Sequence, residues 1–177
     1  MRKFFNYCFF AIALLSIFQS CKKSDNNSNP STGTYSWSCK LDGTTYSWSG
    51  AGEDSTGGGG AFRNFPITDT IVPLAIDLGK GTGQSDNEFS IIFYSTSSNA
   101  GTYTLTGNNP FPSTLLIIGN GSAIYNTRFG GSVTLNITSI TSTQCSGTFS
   151  GSIKNIITGA TGNITEGKFS IPIRPNP

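Results

Sequence analysis

The sequence predicts an all-β protein, built as a single antiparallel β-sandwich of about ten short strands. Polar and apolar residues alternate with a period of two through most of the chain, which is typical of half-buried strands. Clusters of Gly, Asn, Ser and Pro interrupt this alternation about every eight to twelve residues, as turns do in sandwiches. No segment has the 3.6-residue period of an amphipathic helix. A closed or partly open up-and-down β-barrel satisfies the same pattern and stays open as an alternative.

Composition excludes several classes of function. The chain has 177 residues, of which 11% are charged and none is His. Without imidazole there is no Ser-His-Asp triad, no Cys-His pair and no His-ligated metal. The Asp86-Asn87-Glu88 region lacks the EF-hand pattern for calcium and is better explained as a turn, so we expect no metal and no cofactor. The 11 cations are too few to form a basic stripe along phosphates, so we also expect no nucleic-acid partner.

The first predicted hairpin has a specific register. Tyr35–Leu41 alternates up to Asp42-Gly43, a strong signal for a two-residue turn, and the alternation resumes at Thr45. With that turn, Trp37 faces Trp48 and Cys39 faces Tyr46, all on one apolar face. A four-residue loop keeps the same residues on that face, whereas an odd-length loop would not.

The rest of the chain follows the same pattern. Glu88–Ser95 and Leu115–Ile118 are apolar on both faces and are predicted as central strands, whereas Pro73 and Pro172 suggest edges or strand ends. The glycine run at 57–60 is predicted to be a mobile loop. The other predicted strands are Thr70–Leu78, Gly101–Thr106, Thr114–Ile118, Ala123–Thr127, Ser132–Ile140, Cys145–Ile153 and Ile164–Ile173.

Residues 1–20 have the layout of an export signal. Arg2 and Lys3 precede an apolar stretch that is shorter than the roughly 20 residues a membrane-spanning helix needs, which favours a cleaved signal over the alternative of a retained anchor helix. Once this segment is removed, nine cations balance nine anions, so the remaining chain is formally neutral.

The segment Ile17–Cys21 resembles a bacterial lipobox, in which the cysteine becomes the lipidated N-terminus. The resemblance implies a diacylglycerol on Cys21, and an ordinary cleaved signal is the alternative. The polar residues that follow predict a disordered tether over 21–33, so that a lipid would hold the domain 34–177 at a membrane. Lys22 directly after the cysteine resembles the sorting of outer-membrane lipoproteins, with either the periplasmic face or the cell surface as destination.

Several strand-and-turn motifs resemble a family of small all-β lipoproteins of Bacteroidetes-type bacteria. The matching segments are Gly101–Leu105, Gly131–Ser139, Cys145–Gly151 and Ile164–Ile173, together with the opening Leu41–Tyr46. The resemblance covers most of the chain after the tether. It implies the β-fold and an outer-membrane location, and it brings no activity with it.

Cys39 and Cys145 remain after export, since Cys8 leaves with the signal and Cys21 carries the lipid. Both fall in the inward phase of their predicted strands, and an exported protein meets an oxidising compartment. We therefore expect a disulfide between them, with two separate buried thiols as the alternative.

No spacing selects a catalytic pair among the carboxylates, which occur mainly as Glu53-Asp54, Asp69, Asp77, Asp86 and Glu88, so no catalytic residue is assigned. Aromatic side chains are the better binding candidates, although Trp48 is also a candidate for the core. These candidates are Trp48, Tyr46, Phe62, Phe65 and Phe111.

The sequence thus predicts a non-catalytic, lipid-anchored domain that binds an envelope protein or glycan through its loops. A small carboxylate-dependent glycan-processing enzyme and a purely structural envelope lipoprotein are the alternatives.

Overall fold

The computed structural model describes residues 34–51, 57–67, 70–81, 87–108, 113–119 and 121–175. The predicted signal and tether, Cys21 and Phe111 lie outside these ranges. The described residues form ten strands: β1 (Tyr35–Leu41), β2 (Thr44–Gly50), β3 (Gly57–Ile67), β4 (Thr70–Gly81), β5 (Asn87–Ser95), β6 (Gly101–Thr106), β7 (Thr114–Ile118), β8 (Ala123–Ile140), β9 (Gln144–Asn155) and β10 (Thr161–Arg174).

The prediction of an all-β fold is confirmed. The bounds of β6 and β7 agree with the sequence pattern to the residue, and β5 and β7 are interior strands as predicted. Two predictions were wrong. The segments Ala123–Thr127 and Ser132–Ile140 are one strand of 18 residues, and the glycine run at 57–60 belongs to β3. The described ranges contain no helix long and apolar enough to cross a bilayer.

The first hairpin has the predicted register. Trp37 pairs with Trp48 and Cys39 pairs with Tyr46 across a two-residue turn. Asp42 and Gly43 both have positive φ, at 48° and 86°, which is the conformation that such turns require.

All ten strands belong to one sheet whose hydrogen bonding closes on itself. The circuit runs β9-β10-β3-β4-β5-β7-β8 and back to β9, while β1 and β2 extend it beyond β10 and β6 lies beside β8. Every pairing is antiparallel except a short parallel junction, in which Ile173 and Arg174 of β10 pair with Ala61 and Phe62 of β3.

The sheet is folded into two facing layers whose strands cross steeply. Layer one comprises β2, β1, β10, β9, β6 and most of β8, and layer two comprises β3, β4, β5 and β7. Phe89 of β5 stacks on Trp37 of β1 at 5.3 Å, whereas Phe93, four residues further on, contacts Phe149 of β9 at 4.8 Å. Since β10 lies between β1 and β9, β5 crosses about 10 Å of layer one over about 13 Å of its own length. The strands of the two layers therefore cross at about 50°, and β8 continues from one layer into the other.

The glycines of β3 allow this strand to lie against its neighbours. A Cβ on Gly59 would lie 2.8 Å from Cγ2 of Ile171, and the Trp37 indole donates a buried hydrogen bond to the Gly58 carbonyl at 2.9 Å. A larger residue at 59 would push β3 away from Ile171. The glycine run is thus a feature of close packing rather than of a mobile loop.

Pro172 stands where β10 changes partner. Along one edge of β10, the pairing with β1 ends at Ser170 and the pairing with β3 begins at Ile173. Pro172 lies in the gap between them, where its lack of a backbone N–H costs no hydrogen bond along that edge. Pro73 lies in β4 immediately before the pairing with β5 begins at Leu74. Neither proline marks an edge strand, because β4 and β10 are interior strands.

Strand β8 passes from one layer to the other through a bulge at residues 127–130. Asn126 pairs with Lys154 and Gly131 with Ile153, so four residues of β8 have no counterpart on β9. Gly131 has φ of 97°, and a Cβ there would lie 2.3 Å from the Ser152 carbonyl oxygen. Glycine is required here both for its conformation and for the close approach of the two backbones.

Replacing Gly131 should therefore cost more stability than replacing a glycine that has the same φ in open space. Gly121 is the matched control, because its φ is 84° and a Cβ there would meet nothing within 4 Å. We expect Gly131→Ala to lower the free energy of unfolding by about 1–3 kcal/mol more than Gly121→Ala does, since only the former overpacks a backbone contact. Urea denaturation of the two variants measures the difference, and equal losses would show that the close approach at Gly131 does not matter.

Candidate functional site

Two of the aromatic residues singled out from the sequence belong to the core. Trp48 is 6% exposed and lies opposite Trp37. The Tyr46 ring is partly buried and stacks on Phe89 at 4.5 Å. The Trp48 ring is therefore covered, and Phe89 occupies one face of the Tyr46 ring.

Phe62 and Phe65 lie in β3 and not in a loop. Both are half-buried, and their rings contact each other at 5.4 Å in a tilted arrangement. Asn64 between them has φ of 52°, which breaks the alternation and brings the two rings to the same side. They form a small aromatic pair at the surface of layer two.

The expected disulfide is absent, and Cys39 and Cys145 are free thiols. Cys39 is on β1 and Cys145 on β9, with β10 between them, which separates their backbones by about 10 Å. Along β10, Cys145 lies opposite Ile171, whereas the residues flanking Cys39 lie opposite Thr165 and Lys168. This adds about 10 Å along the strand, so the Cα atoms are well beyond the roughly 7 Å that a bridge allows. The prediction that both side chains point inward is confirmed. The alternating pattern does not show the order of the strands, and so it could not show that β10 separates the two cysteines.

Both thiols are chemically quiet. Burial raises the pKa of Cys39 to about 12, and burial likewise raises the pKa of Cys145 to about 12, against a small opposing effect of the Arg63 charge. The thiolate is the nucleophilic form, so neither group is a nucleophile at neutral pH.

The carboxylates whose side chains the structure describes have structural contacts. Asp42 accepts a hydrogen bond from the Asn163 N–H at 2.8 Å, and Glu166 forms an ion pair with Lys40 at 2.7 Å. Burial raises the pKa of the Tyr94 phenol, and the negative charge of Asp77 raises it further. Within the described residues, no three His, Cys, Asp or Glu side chains are grouped to hold a metal ion. Glu53, Asp54, Asp69 and Asp86 lie outside the described residues.

The surface feature that sequence reasoning missed is a cluster of exposed apolar side chains at one end of layer one. Four large hydrophobic side chains are exposed in the described part of the chain, and three of them lie here: Phe129 at 58%, Ile156 at 40% and Ile157 at 70%. Phe129 is in the β8 bulge, and the two isoleucines are in the turn between β9 and β10. We call these three residues, with Arg128 and Lys154, the apolar tip.

The β8 bulge holds Phe129 on an ordered backbone. Thr127 is buried, and its hydroxyl oxygen accepts a hydrogen bond from the Thr114 N–H of β7 at 3.2 Å. The Arg128 N–H donates to the Asn126 side-chain oxygen at 2.8 Å. The backbone of the bulge also packs on Gly107, where a Cβ would lie 2.7 Å from the Thr127 carbonyl oxygen.

The turn that carries the isoleucines is held by Asn155. Its side-chain oxygen accepts hydrogen bonds from the N–H groups of Ile157 and Thr158, each at 2.9 Å. Its own N–H donates to the Ala160 carbonyl at 2.8 Å, and its carbonyl accepts from Gly159 at 3.0 Å. The turn is therefore closed around one buried side chain, and Ile157 projects from a fixed backbone.

Lys154 joins the bulge to the turn. Its Cδ lies 3.2 Å from the position that a Cβ on Gly130 would occupy, and its Cε lies 3.9 Å from the equivalent position on Gly159. The Ile156 N–H also donates to the Ile124 carbonyl of β8 at 3.0 Å. Phe129 and the two isoleucines thus lie on adjoining segments at one end of the fold.

The charge pattern marks the same place. Between Glu88 and Glu166 the sequence contains no Asp or Glu, and its only charged residues there are Arg128 and Lys154. The two cations, 26 positions apart in the chain, are brought to one end of the fold, beside the exposed hydrophobics. This is a signal that sequence analysis could have found, whereas the exposure of Phe129 and Ile157 could not be read from the alternating pattern.

No family model matches the chain, and no curated protein or solved structure matches it either. What the apolar tip does has to be derived from its own residues.

The two thiols should be unreactive in the folded protein and both free once it unfolds. In the segment 24–177, which carries only Cys39 and Cys145, we expect no labelling by a thiol reagent at pH 8, because burial keeps both groups protonated and covered. Unfolding in guanidinium without reductant should release two reactive thiols per chain. A count of zero after unfolding would mean that a disulfide forms after all.

Proposed function

We propose that this protein is a non-catalytic, lipid-anchored domain of the cell envelope that binds a partner through its apolar tip. The anchor is a lipid on Cys21, the location is the outer membrane, and the partner is a component of the envelope or of its surroundings. The binding loops are the β8 bulge and the β9–β10 turn.

The observation that carries the proposal is the exposure of Phe129, Ile156 and Ile157 on ordered turns. Single exposed hydrophobic residues are common on soluble proteins, but clusters of them mark surfaces that another molecule covers. Ordered turns also reduce the conformational entropy that is lost on binding, because the backbone that carries the contact side chains is already fixed. The β8 bulge and the turn closed by Asn155 give both conditions at the same place.

The position of the tip fits an anchor at the other end of the domain. Ser36, next to the start of β1, pairs with Ser170 of β10, whereas the tip lies beyond Thr161 at the beginning of that strand. Nine residues of strand separate these points, about 30 Å. A tether that enters at Tyr35 therefore leaves the tip free to meet a partner.

The chemistry of the described residues favours binding over catalysis. The buried thiols have pKa values raised to about 12, and Asp42 and Glu166 are each bonded within the sheet. None of these groups is arranged as a nucleophile with an activating base.

The anchor is tested by Cys21→Ser in the full chain, expressed in an envelope-bearing bacterial host. The wild-type protein should label with a radioactive fatty acid and sediment with membranes, and Cys21→Ser should lose the label, because the thiol is the acceptor atom. The matched control is Cys8→Ser, which should label as the wild type does. If Cys21→Ser keeps the label, the lipid is elsewhere and the proposed anchor is wrong.

The binding role is tested by screening the segment 24–177 against outer-membrane extracts, peptidoglycan fragments and polysaccharides. This segment contains every described strand and the whole described core. We expect saturable binding without turnover, and the double variant Phe129→Ser/Ile157→Ser should weaken it at least tenfold, because two exposed contact groups are removed. Ile71→Ser is the matched control, since Ile71 is 66% exposed outside the tip.

Two results would contradict the proposal. Product formation from a glycan would assign the chain to the carboxylate-dependent enzymes. Binding that Ile71→Ser weakens as much as the tip variant does would place the contact surface elsewhere.

A further inference from the structure

We infer that the partner of the apolar tip is a lipid surface that carries anionic headgroups. The inference rests on the proposed function, since it names the partner of the same tip. It follows from three properties of the described residues: the charge of the tip, the shape of its apolar contacts and the reach of the chain.

The charge of the tip selects an anionic partner. Arg128 is exposed and Lys154 is half-buried, and the segments that build the tip contain no acidic residue. Each cation close to an anionic bilayer contributes about a fivefold gain in binding at moderate salt. The same two charges oppose contact between two tips, so a second copy of this chain is disfavoured as the partner.

The exposed apolar side chains fit a lipid bilayer better than a partner that must offer a complementary pocket. Phe129 and Ile157 project from two separate turns, and the backbone of both turns is held by internal hydrogen bonds. Ile157 is the most exposed large hydrophobic side chain of the described residues, at 70%. A bilayer interface accepts protruding Phe and Ile side chains without a complementary pocket, whereas glycans offer few apolar faces to an isoleucine.

Lys154 has the geometry of a residue at such an interface. Its aliphatic stem packs over Gly130 and reaches toward Gly159, so the stem runs between the bulge that carries Phe129 and the turn that carries the isoleucines. A lysine with its stem in an apolar surface and its ammonium at the edge is the arrangement found where proteins meet lipid headgroups. Asn155, the next residue, accepts the hydrogen bonds that hold the adjoining turn closed.

The length of the chain before β1 allows the tip to reach the membrane that carries Cys21. The 13 residues from 21 to 33 span at most about 43 Å when taut. This exceeds the roughly 30 Å of strand that separates the entry of the tether from the tip. A lipid on Cys21 and the tip can therefore contact the same leaflet.

The inference is tested with the unlipidated segment 24–177, which lacks Cys21, and vesicles of phosphatidylglycerol and phosphatidylcholine in a 1:1 mixture or of phosphatidylcholine alone. Flotation should show at least tenfold stronger binding to the anionic vesicles in about 50 mM salt, and the difference should shrink in about 500 mM salt, because added ions screen the attraction. Arg128→Gln/Lys154→Gln should lower binding to the anionic vesicles about tenfold to a hundredfold. Phe129→Ser/Ile157→Ser should lower it at least tenfold.

Matched controls separate the tip from general charge and hydrophobicity. Lys168→Gln removes an exposed cation outside the tip, and Ile71→Ser removes an exposed isoleucine outside it. Both should bind vesicles as the wild type does. Cooperative thermal unfolding of each variant establishes that loss of binding is not loss of the fold.

The outcomes distinguish this inference from the proposed function. Equal binding to both kinds of vesicle, or an equal loss in the control variants, overturns the anionic-lipid inference. If vesicles do not take up the protein but another ligand binds through Phe129 and Ile157, the partner is wrong and the binding function stands. If the tip variants change no interaction at all, both are wrong.

Discussion

The structure depends on the passage of β8 from one layer of the sheet to the other. Its first residues pair with β7 and its last with β6 and β9, so the strand closes one corner of the hydrogen-bonded circuit. The bulge at 127–130 absorbs the change of direction, and Gly131 lets β8 approach β9 at the bend. Without this corner the two layers would present open edges, which aggregate readily. The same bulge also projects Phe129 and Arg128 outward, so the constraint that closes the fold creates half of the apolar tip.

The sequence predicted local structure well because local structure here depends on alternation and on turn chemistry. The Asp42-Gly43 turn fixed the register of Trp37 and Trp48, and this register required no information from the rest of the chain. The glycine run of β3 was misread because its strand character comes from the packing of Ile171 against Gly59, a contact between distant segments. Ala123–Thr127 and Ser132–Ile140 were separated for a similar reason. A bulge held by Thr114 and Gly107 has the same composition as a turn.

Two errors about the placement of side chains have the same origin. The parity of Cys39 and Cys145 gives the face of the sheet on which each lies, but only the strand order shows that β10 separates them. Likewise, the sequence identifies Phe62 and Phe129 as aromatic residues near glycines, while their exposure depends on which strand or turn covers them. The sequence contains one indication of the candidate site. Two cations, Arg128 and Lys154, lie in a long segment without acidic residues. These two cations indicate a site only when the strand pairing shows that residues 128 and 154 lie on adjoining segments.

Arg128 and Lys154 matter for binding because the chain has few other charged residues. In a domain with many charged residues, a pair of cations beside three hydrophobic side chains would be an ordinary surface. Here the segments that carry Arg128 and Lys154 contain no acidic residue, and Asp42, which lies at the same end of the sheet, is bonded to the Asn163 N–H. Exposed hydrophobics alone would favour contact between copies, and the shared positive charge opposes it. The tip is therefore suited to a partner that is both apolar and negatively charged. Arg128 and Lys154 attract such a partner and repel the tip of a second copy of the chain.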